Sequence, residues 1–499
     1  MNMMILAVLS LILAFNFFKS LLSFPNRGKK LPPGPYQLPL IGNLAKLGKL
    51  PYQSLSKLAQ IYGPIMHLKL GRVNTIVISS STIAQQVLQK QDIVFSSRFI
   101  PDALCACDHF KYSVAFLPVG TMWINHRKIA HSNLFSVNKL DANQHLRSSK
   151  VNELIGYVKK CSQTGQAVDI GRAAFRTSLN LLSDTIFSKD MADPYQDSAK
   201  EFKDLIWNIM VEIGTPNLGD YFPVLKKMDL QGIYRRMTGN FGNILKMLDG
   251  LITERLALER SGTLVKKNDA LDELIKISLG SREEFDKTHI EHLLMDIFIA
   301  GTDTTSSTVE WGMAELLKNS GTMVKAKSEL HKVLGKGRIL EEEDIIRLPY
   351  LRCIVSETLR LHPPLPFLIP RQIAEEAEVN GYTIPRNSQI LVNAWAIGRD
   401  PVSWKNPLSF HPERFLYKKV DVKGQHFELI PFGAGRRICP GLPLAMRTVP
   451  VMLGSLINCF DWELEGGIPV NELDMEEKFG ITMGKRYPLR ALATSVPAV

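Results

Sequence analysis

Apolar and polar positions divide this chain into an entry segment, a short hinge and a long body. Met3 to Phe18 are almost wholly apolar, and Ser20 to Phe24 continue the run after Lys19. At 1.5 Å per residue such a run of about 22 residues reaches roughly 33 Å, enough to cross a hydrocarbon core. Leu31-Pro32-Pro33-Gly34-Pro35 follows, and its prolines, which lock φ, predict a semi-rigid spacer. Gly63 to Ser80 reads as a hairpin, with Ile65 to Leu70, a Gly71-Arg72 turn and Thr75 to Ser79. Much of residues 140–360 shows helical periodicity broken by Gly, Pro or Asn. Thr288 to Lys318 forms a long helical pattern interrupted at Ala300-Gly301-Thr302-Asp303-Thr304-Thr305. A second strand pair is expected at Gly381–Thr383 and Ile390–Val392, and another helix from Leu442 onward. The expectation is a mainly α protein with a minor β-sheet region and no internal repeats. Residues 1–24 read as a membrane anchor, 25–36 as a basic, proline-rich hinge and 37–499 as a single domain.

Charge sharpens the entry segment. No charge precedes the apolar run, while Arg27, Lys29 and Lys30 follow it, the reverse of a cleavable signal peptide. Positive-inside logic puts the body on the cytosolic side of an uncleaved single-pass anchor. Residues 1–91 carry ten Lys or Arg and no carboxylate before Asp92, so nearly all of the net +11 lies there. Basic charge interleaved with apolar residues behind a membrane span suits anionic headgroups rather than nucleic acid. The six cysteines, at 105, 107, 161, 353, 439 and 459, make no C-x-x-C pair and no dense framework, which fits a reducing, cytosol-facing environment.

One of those cysteines carries the chemistry. In Phe432-Gly433-Ala434-Gly435-Arg436-Arg437-Ile438-Cys439-Pro440-Gly441, the glycines at 433, 435 and 441 allow sharp turns and close approach to a flat partner. Cys439 stands just before the helix from Leu442, where the helix dipole favours a thiolate able to bind a metal. By ordinary residue frequencies, F-x-x-G-x-R-x-C-x-G arises by accident in roughly one chain in ten thousand of this length. In the long helix, Gly301 and adjacent threonines are poor interior residues, and Thr hydroxyls that bond back to i−4 carbonyls bend an axis. A groove there would hold a small diatomic ligand, with Asp303 and Thr304 as an acid and a hydroxyl relay. A buried helix whose hydroxyls satisfy their own backbone is the competing reading. Glu357 and Arg360, three apart on one helical face, and Arg414 in Pro412-Glu413-Arg414-Phe415 complete the notable polar motifs.

These motifs resemble the cytochrome P-450 family over nearly the whole chain. The resemblance implies the P-450 fold, with haem between the kinked long helix and the Cys-loop helix. It implies that Cys439 is the proximal thiolate of a haem b iron, a ligand that pushes electron density toward the metal. Asp303 and Thr304 match the oxygen-activation motif and become the implied catalytic pair. Arg437, Trp123 and Arg127 (a W-x-x-x-R helix), Arg371 and Phe432 become the implied haem contacts. Plant relatives usually carry Arg directly after that tryptophan, whereas this chain has Ile124. Glu357, Arg360 and Arg414 match the family's buried Glu–Arg–Arg network, a structural rather than catalytic feature. Implied partners are O2, an NADPH-cytochrome P-450 reductase as electron donor, the endoplasmic reticulum membrane, and cytochrome b5 as an optional second donor.

Within the family, Ala300–Trp311, Arg347–Arg371, Leu391–Pro401, Glu428–Asn458 and Leu473–Thr482 are similar to plant microsomal enzymes of the geraniol 8-hydroxylase group. The implied activity is NADPH- and O2-dependent hydroxylation of a lipophilic plant terpenoid. An acyclic monoterpenol such as geraniol or nerol, oxidised at an allylic 8-methyl, leads; abietane-type diterpenes and aromatic substrates also occur in the group. Candidate substrate contacts are Ile100, Leu104, Phe116, Trp207, Ile209, Met210, Phe298, Ala300, Gly301, Leu365, Phe367, Leu368 and Ile481. Such a lining suits a small apolar substrate and offers no charge pair for tyrosine. Two rival classes are distinguishable: a haem-thiolate isomerase turns over without NADPH or oxygen, and a non-catalytic haem protein shows spectral shifts without product.

Overall fold

The computed structural model describes residues 30–193, 198–261, 267, 269–280 and 285–497. The expected anchor and the part of the hinge up to residue 29 lie outside these. Eleven helices of ten or more residues dominate the described part: α1 (Pro51–Tyr62), α2 (Thr121–Ala130), α3 (Gln144–Thr164), α4 (Ile170–Phe187), α5 (Ser198–Gly214), α6 (Ile233–Arg260), α7 (Ala270–Gly280), α8 (Lys287–Lys318), α9 (Ser320–Leu334), α10 (Pro349–Leu361) and α11 (Leu442–Cys459).

The central helix α8 starts where its sequence tells it to. Asp286 accepts the His289 N–H at 3.0 Å, and His289 Nδ1 accepts the Asp286 N–H at 3.2 Å, a reciprocal cap on two otherwise orphaned donors. From there α8 runs unbroken to Lys318, through the Ala300–Thr305 stretch that the pattern marks as an interruption. Its hydroxyls do bond backward, Thr302 to the Phe298 carbonyl and Thr304 to the Ala300 carbonyl, each at 2.7 Å. The i−4 bonding predicted for these threonines is therefore present, without loss of helix. α8 packs against α4, α10 and α11, and Gly312 brings the last within van der Waals reach, since a Cβ there would stand 3.2 Å from Leu453 Cδ2.

The hairpin forms, with its second strand starting two residues before the expected Thr75: β1 (Ile65–Leu70) pairs antiparallel with β2 (Val73–Ile78). The second strand pair requires correction. Residues 381–383 fall in a local hairpin of β6 (Ala377–Val379) with β7 (Tyr382–Ile384), whereas Ile390–Val392 belong to β8 (Gln389–Val392). β8 instead lies parallel to β2 and antiparallel to β5 (Arg371–Gln372), in a five-stranded sheet of order β1-β2-β8-β5-β3, with β3 at Ser97–Arg98. All four β8 residues are buried, and a strand buried on both faces lacks the alternation that would reveal its partner. Three smaller sheets complete the β content of the described residues: the β6–β7 hairpin, β10 (Glu477–Phe479) with β11 (Met483–Lys485), and β4 (Val168–Asp169), β12 (Arg490–Ser495) and β9 (Phe460–Leu464) in the order β4-β12-β9.

Two large apolar clusters build the core. One joins α3, α9, α10, α11 and the C-terminal half of α8; the other joins α4, α6, α7, the N-terminal half of α8 and the loop around Leu104 and Phe116. The central cavity lies where they meet. α11 is, among the described residues, the one helix long and apolar enough to cross a membrane, but it is 67% buried in this core. Every residue from Thr448 to Cys459 is buried, so it is a core helix.

Candidate active site

A cavity of about 310 Å³ is walled on one side by α8 and on another by the loop that leads into α11. Leu293, Ile297, Ala300, Gly301 and Thr304 line it, all on one helical face of α8. Facing residues of the loop are Phe432, Gly433, Arg437 and Cys439.

The loop's shape follows from its glycines, though not from all three alike. Gly433 and Gly435 take φ of +71° and +67°, a region that side-chain-bearing residues avoid. A Cβ on Gly435 would also fall 2.0 Å from the Leu88 carbonyl oxygen, so no other residue fits. Gly441, by contrast, has φ −81° at the N-cap of α11 and needs no such freedom. The Cys439 N–H donates to the Phe432 carbonyl at 2.9 Å and closes the loop under the cavity.

Position before a helix suggested a thiolate, but burial outweighs it in the bare side chain. Desolvation pushes the Cys439 thiol above its ordinary value, opposed by the Gly441 and Leu442 N–H groups and the Arg127 guanidinium. Those opposing groups stabilise the anion, and a cation at the sulfur is what would tip the balance.

Four arginines gather at the cavity edge: Arg98, Arg127, Arg371 and Arg437. Arg437 donates to the Ser96 carbonyl at 3.0 Å and to the Leu117 carbonyl, Arg98 to the Ala115 and Ile369 carbonyls at 3.0 and 2.8 Å, and Arg127 to the Ile438 carbonyl. Burial and mutual repulsion hold Arg437 down to about 9, and burial holds Arg371 down to about 10. Arg98 is also held well below its ordinary value, by burial and then by Arg371, Arg437 and Arg127. So many buried cations with carbonyl partners form a setting that an anion would relieve. These residues fit a haem: an apolar slot, a sulfur at one wall and an arginine group matching two propionates. Trp123 stands behind them rather than at the cavity. Its ring lies 4.7 Å from the Arg437 guanidinium and 5.7 Å from that of Arg127, and its Nε1–H donates to the Val114 carbonyl at 3.0 Å.

Of the expected substrate contacts, Leu104, Phe116, Met210, Ala300, Gly301, Leu365, Leu368 and Ile481 line the cavity. Five do not. Phe298 points into the core and stacks on Phe187 at 5.8 Å, Ile209 is wholly buried in the same cluster, and Ile100 packs against its edge. Trp207 receives the Lys478 ammonium over its ring at 4.0 Å, and Phe367 lines a neighbouring cavity of about 90 Å³ beside Tyr52. Placement on the right segment did not settle which helical face each residue occupies. Asp303 lies one position before Thr304 but outside the lining, almost fully buried. Desolvation holds its carboxyl above the usual range, opposed by Thr482, which does line the cavity, and by Lys203 and Lys478.

The buried ionic network sits away from the cavity. Glu357 accepts from Arg360 at 2.6 and 2.8 Å, from Arg414 Nε at 3.0 Å and from the His411 N–H at 2.7 Å. Sequence reasoning passed over Arg98, His109 and Asp296, which also line the cavity. For Asp296 a signal existed, because it stands one turn before Ala300 on the face that Ala300 and Thr304 share.

Comparison with known proteins places the chain. The family described as Cytochrome P450 matches residues 32–487. The chain is 60% identical over 489 residues to a Geraniol 8-hydroxylase of Catharanthus roseus, covering 98% of this chain and 99% of that protein. It is 62% identical to a Geraniol 8-hydroxylase of Swertia mussotii, covering 96% of each. A 7-ethoxycoumarin O-deethylase of Helianthus tuberosus is 56% identical, over 92% of this chain and 93% of that one.

Proposed function

Because the chain belongs to the cytochrome P450 family of haem-thiolate monooxygenases, we propose that it hydroxylates an acyclic monoterpenol such as geraniol or nerol at an allylic methyl, the 8-position. The observation that carries this reading is that Cys439 and Thr304 line one apolar cavity. The names of these relatives supply the substrate class. A haem bound at Cys439 would supply the reduction of dioxygen by two electrons and the transfer of one oxygen atom to carbon, the other leaving as water. The electrons come from NADPH through a reductase, in an enzyme anchored to the endoplasmic reticulum by residues 1–24, with cytochrome b5 as an optional second donor. Residues 25–36 act as the hinge and 37–499 as the catalytic domain.

The chain's own residues have separable tasks in this reading. Arg437, Arg371, Arg127 and Arg98 would hold the propionates of a bound haem, and Trp123 braces two of these arginines. Cys439 would hold the haem iron, its anion favoured by the Gly441 and Leu442 N–H groups and Arg127 against the burial that raises the thiol. Asp303, whose carboxyl burial raises above the usual range, is the proton source. The Thr304 hydroxyl, bonded to the Ala300 carbonyl at rest, turns to pass that proton into the cavity. The apolar walls hold the hydrocarbon and keep bulk water from the reacting methyl.

The test is turnover in membranes that carry a plant reductase, with geraniol, nerol, an abietane diterpene and an aromatic phenol offered in parallel. NADPH- and O2-dependent formation of an 8-hydroxylated monoterpenol supports the reading. Product formed without either cosubstrate would mean an isomerase, and a preference for the diterpene or the phenol would overturn the substrate class.

A further inference from the structure

Apart from Cys439 and the arginine group, the ionisable side chains lining the cavity, among the described residues, are His109 and Asp296. They belong to one built cluster. Ser113 Oγ donates to the Asp296 carboxylate, standing 2.8 Å from Oδ1 and 2.9 Å from Oδ2. His109 Nε2 lies 3.1 Å from Asp296 Oδ1, and His109 Nδ1 lies 2.9 Å from His292 Nδ1. Tyr112 stacks on His292 at 4.9 Å and Phe241 packs on His109 at 4.9 Å, so the rings are fixed. Burial, then the neighbouring His109, holds His292 down to about 4, which leaves it neutral.

The carboxylate is 11% exposed, and it lines the cavity. It has about four lone-pair positions, and only two hydrogens reach it, the Ser113 O–H shared between its two oxygens and one from His109 Nε2, so it has room for a further donor. In a lining otherwise apolar at that point, the donor must come from a ligand or from water. Length makes the choice. Asp296 and Thr304 stand eight residues apart on α8, about 12 Å by helical rise. An extended covalent chain advances about 1.2 Å per bond, so the eight bonds from the geraniol oxygen to its C8 methyl span about 10 Å.

Resting on the monoterpenol reading above, we propose that Asp296, held by Ser113 and His109, accepts the hydrogen bond of the substrate's primary alcohol and so determines which end of the terpenol faces Thr304 and Cys439. The residue sets specificity and orientation; it takes no part in oxygen chemistry. A primary alcohol on an extended carbon chain of this length is the ligand class it selects. The same chain without a hydroxyl is held only by the apolar walls and is free to enter in either direction.

The experiment compares geraniol with 2,6-dimethylocta-2,6-diene, the same skeleton without oxygen, in holoenzyme and its Asp296→Ala and Asp296→Asn variants. Affinity is read from the spectral shift on ligand addition, and the oxidised carbon from mass spectrometry of products. Loss of a hydrogen bond to a charged acceptor should weaken geraniol about tenfold to a hundredfold in Asp296→Ala. The hydrocarbon should change by less than about twofold, since only packing is touched. Asp296→Asn keeps an uncharged acceptor and should fall between, and both variants should oxidise geraniol at more than one carbon. Equal weakening of the two ligands would mean that Asp296 only pins the loop to α8. No change in either, in variants with wild-type haem content, would also overturn the proposal. If the wild-type enzyme binds and oxidises no acyclic terpenol at all, the substrate reading fails first and takes the anchor with it, a result visible without any variant.

Discussion

Removing one carboxylate far from the cavity should cost this protein a large part of its stability. Glu357 and the side chain of Arg360 are both 0% exposed. Glu357→Ala deletes the acceptor of four donors: two from Arg360, one from Arg414 and the His411 N–H. Arg360 would keep carbonyl partners at Gly398, Pro407 and Ser409, at 2.5, 2.7 and 3.1 Å, but no counter-charge. Breaking a buried pair on one side costs about 3–5 kcal/mol, because the remaining ion stays desolvated. Unfolding entropy of about 2.1 cal/mol/K per residue gives about 1 kcal/mol/K for a chain of this size, so the melting temperature should fall by about 3–5 °C. The assay is thermal unfolding of purified holoprotein, alongside the reduced carbon-monoxide band and the product profile. The double change Glu357→Leu with Arg360→Met removes both charges and should recover most of the loss. If the single variant melts within about 1 °C of wild type, or the double change is worse than the single, the buried-pair reasoning is wrong. A change in regiochemistry at unchanged stability would put this network in the site, against the geometry.

Four further outcomes follow from the same structure. Cys439→Ala should abolish the reduced carbon-monoxide band; a band of unchanged position and height would remove the assignment of Cys439 as the residue that holds the haem. Thr304→Ala should keep that band but lower product formed per NADPH oxidised, with Thr304→Ser restoring most of it, measured as product-to-cofactor ratios. Arg437→Ala, which takes one buried cation from the arginine group, should speed haem loss to apomyoglobin by about tenfold, the equivalent of one charge-assisted hydrogen bond. Asp220 sits near Asp102 with its carboxyl pushed up to about 6 by burial, while accepting the Asp102 N–H at 2.6 Å. Its folded value lies above the unfolded one, so the folded state binds its proton more tightly and stability drops as pH rises from about 4 to about 6. Asp220→Asn keeps an acceptor and removes the buried charge, so it should raise the melting temperature at pH 7 and leave it unchanged near pH 4.

What sequence could reveal here depended on how local the determining physics is. The Ile65–Leu70 hairpin, the Glu357–Arg360 pair and the start of α8 within one residue of Thr288 all rest on neighbours in the chain. The Cys439 loop was legible because Gly435 tolerates no Cβ against the Leu88 carbonyl, and such a demand leaves a mark in the sequence. Partnering across the fold left no mark of that kind. β8 pairs with β2 across more than 300 residues, and with both its faces buried its pattern cannot say with whom. Facing failed for a related reason. Phe298 and Ile209 are one or two positions from true lining residues, and on a helix with apolar groups on both sides periodicity does not tell cavity from core. Asp296 shows the reverse case. An acidic residue on the apolar, cavity-facing side of α8 breaks the local pattern, and buried charge is costly enough to ask for a reason. Its protein partners, His109 and Ser113, come from a distant loop whose Cys107 and Asp108 take φ of +51° and +55°, a path that propensity does not foretell. Asp303, Glu310 and Glu315 are also acids buried on α8, but Glu310 is met by the Leu489 N–H and Glu315 by His362, whereas Asp296, alone of the four, lines the cavity, where a ligand can answer it.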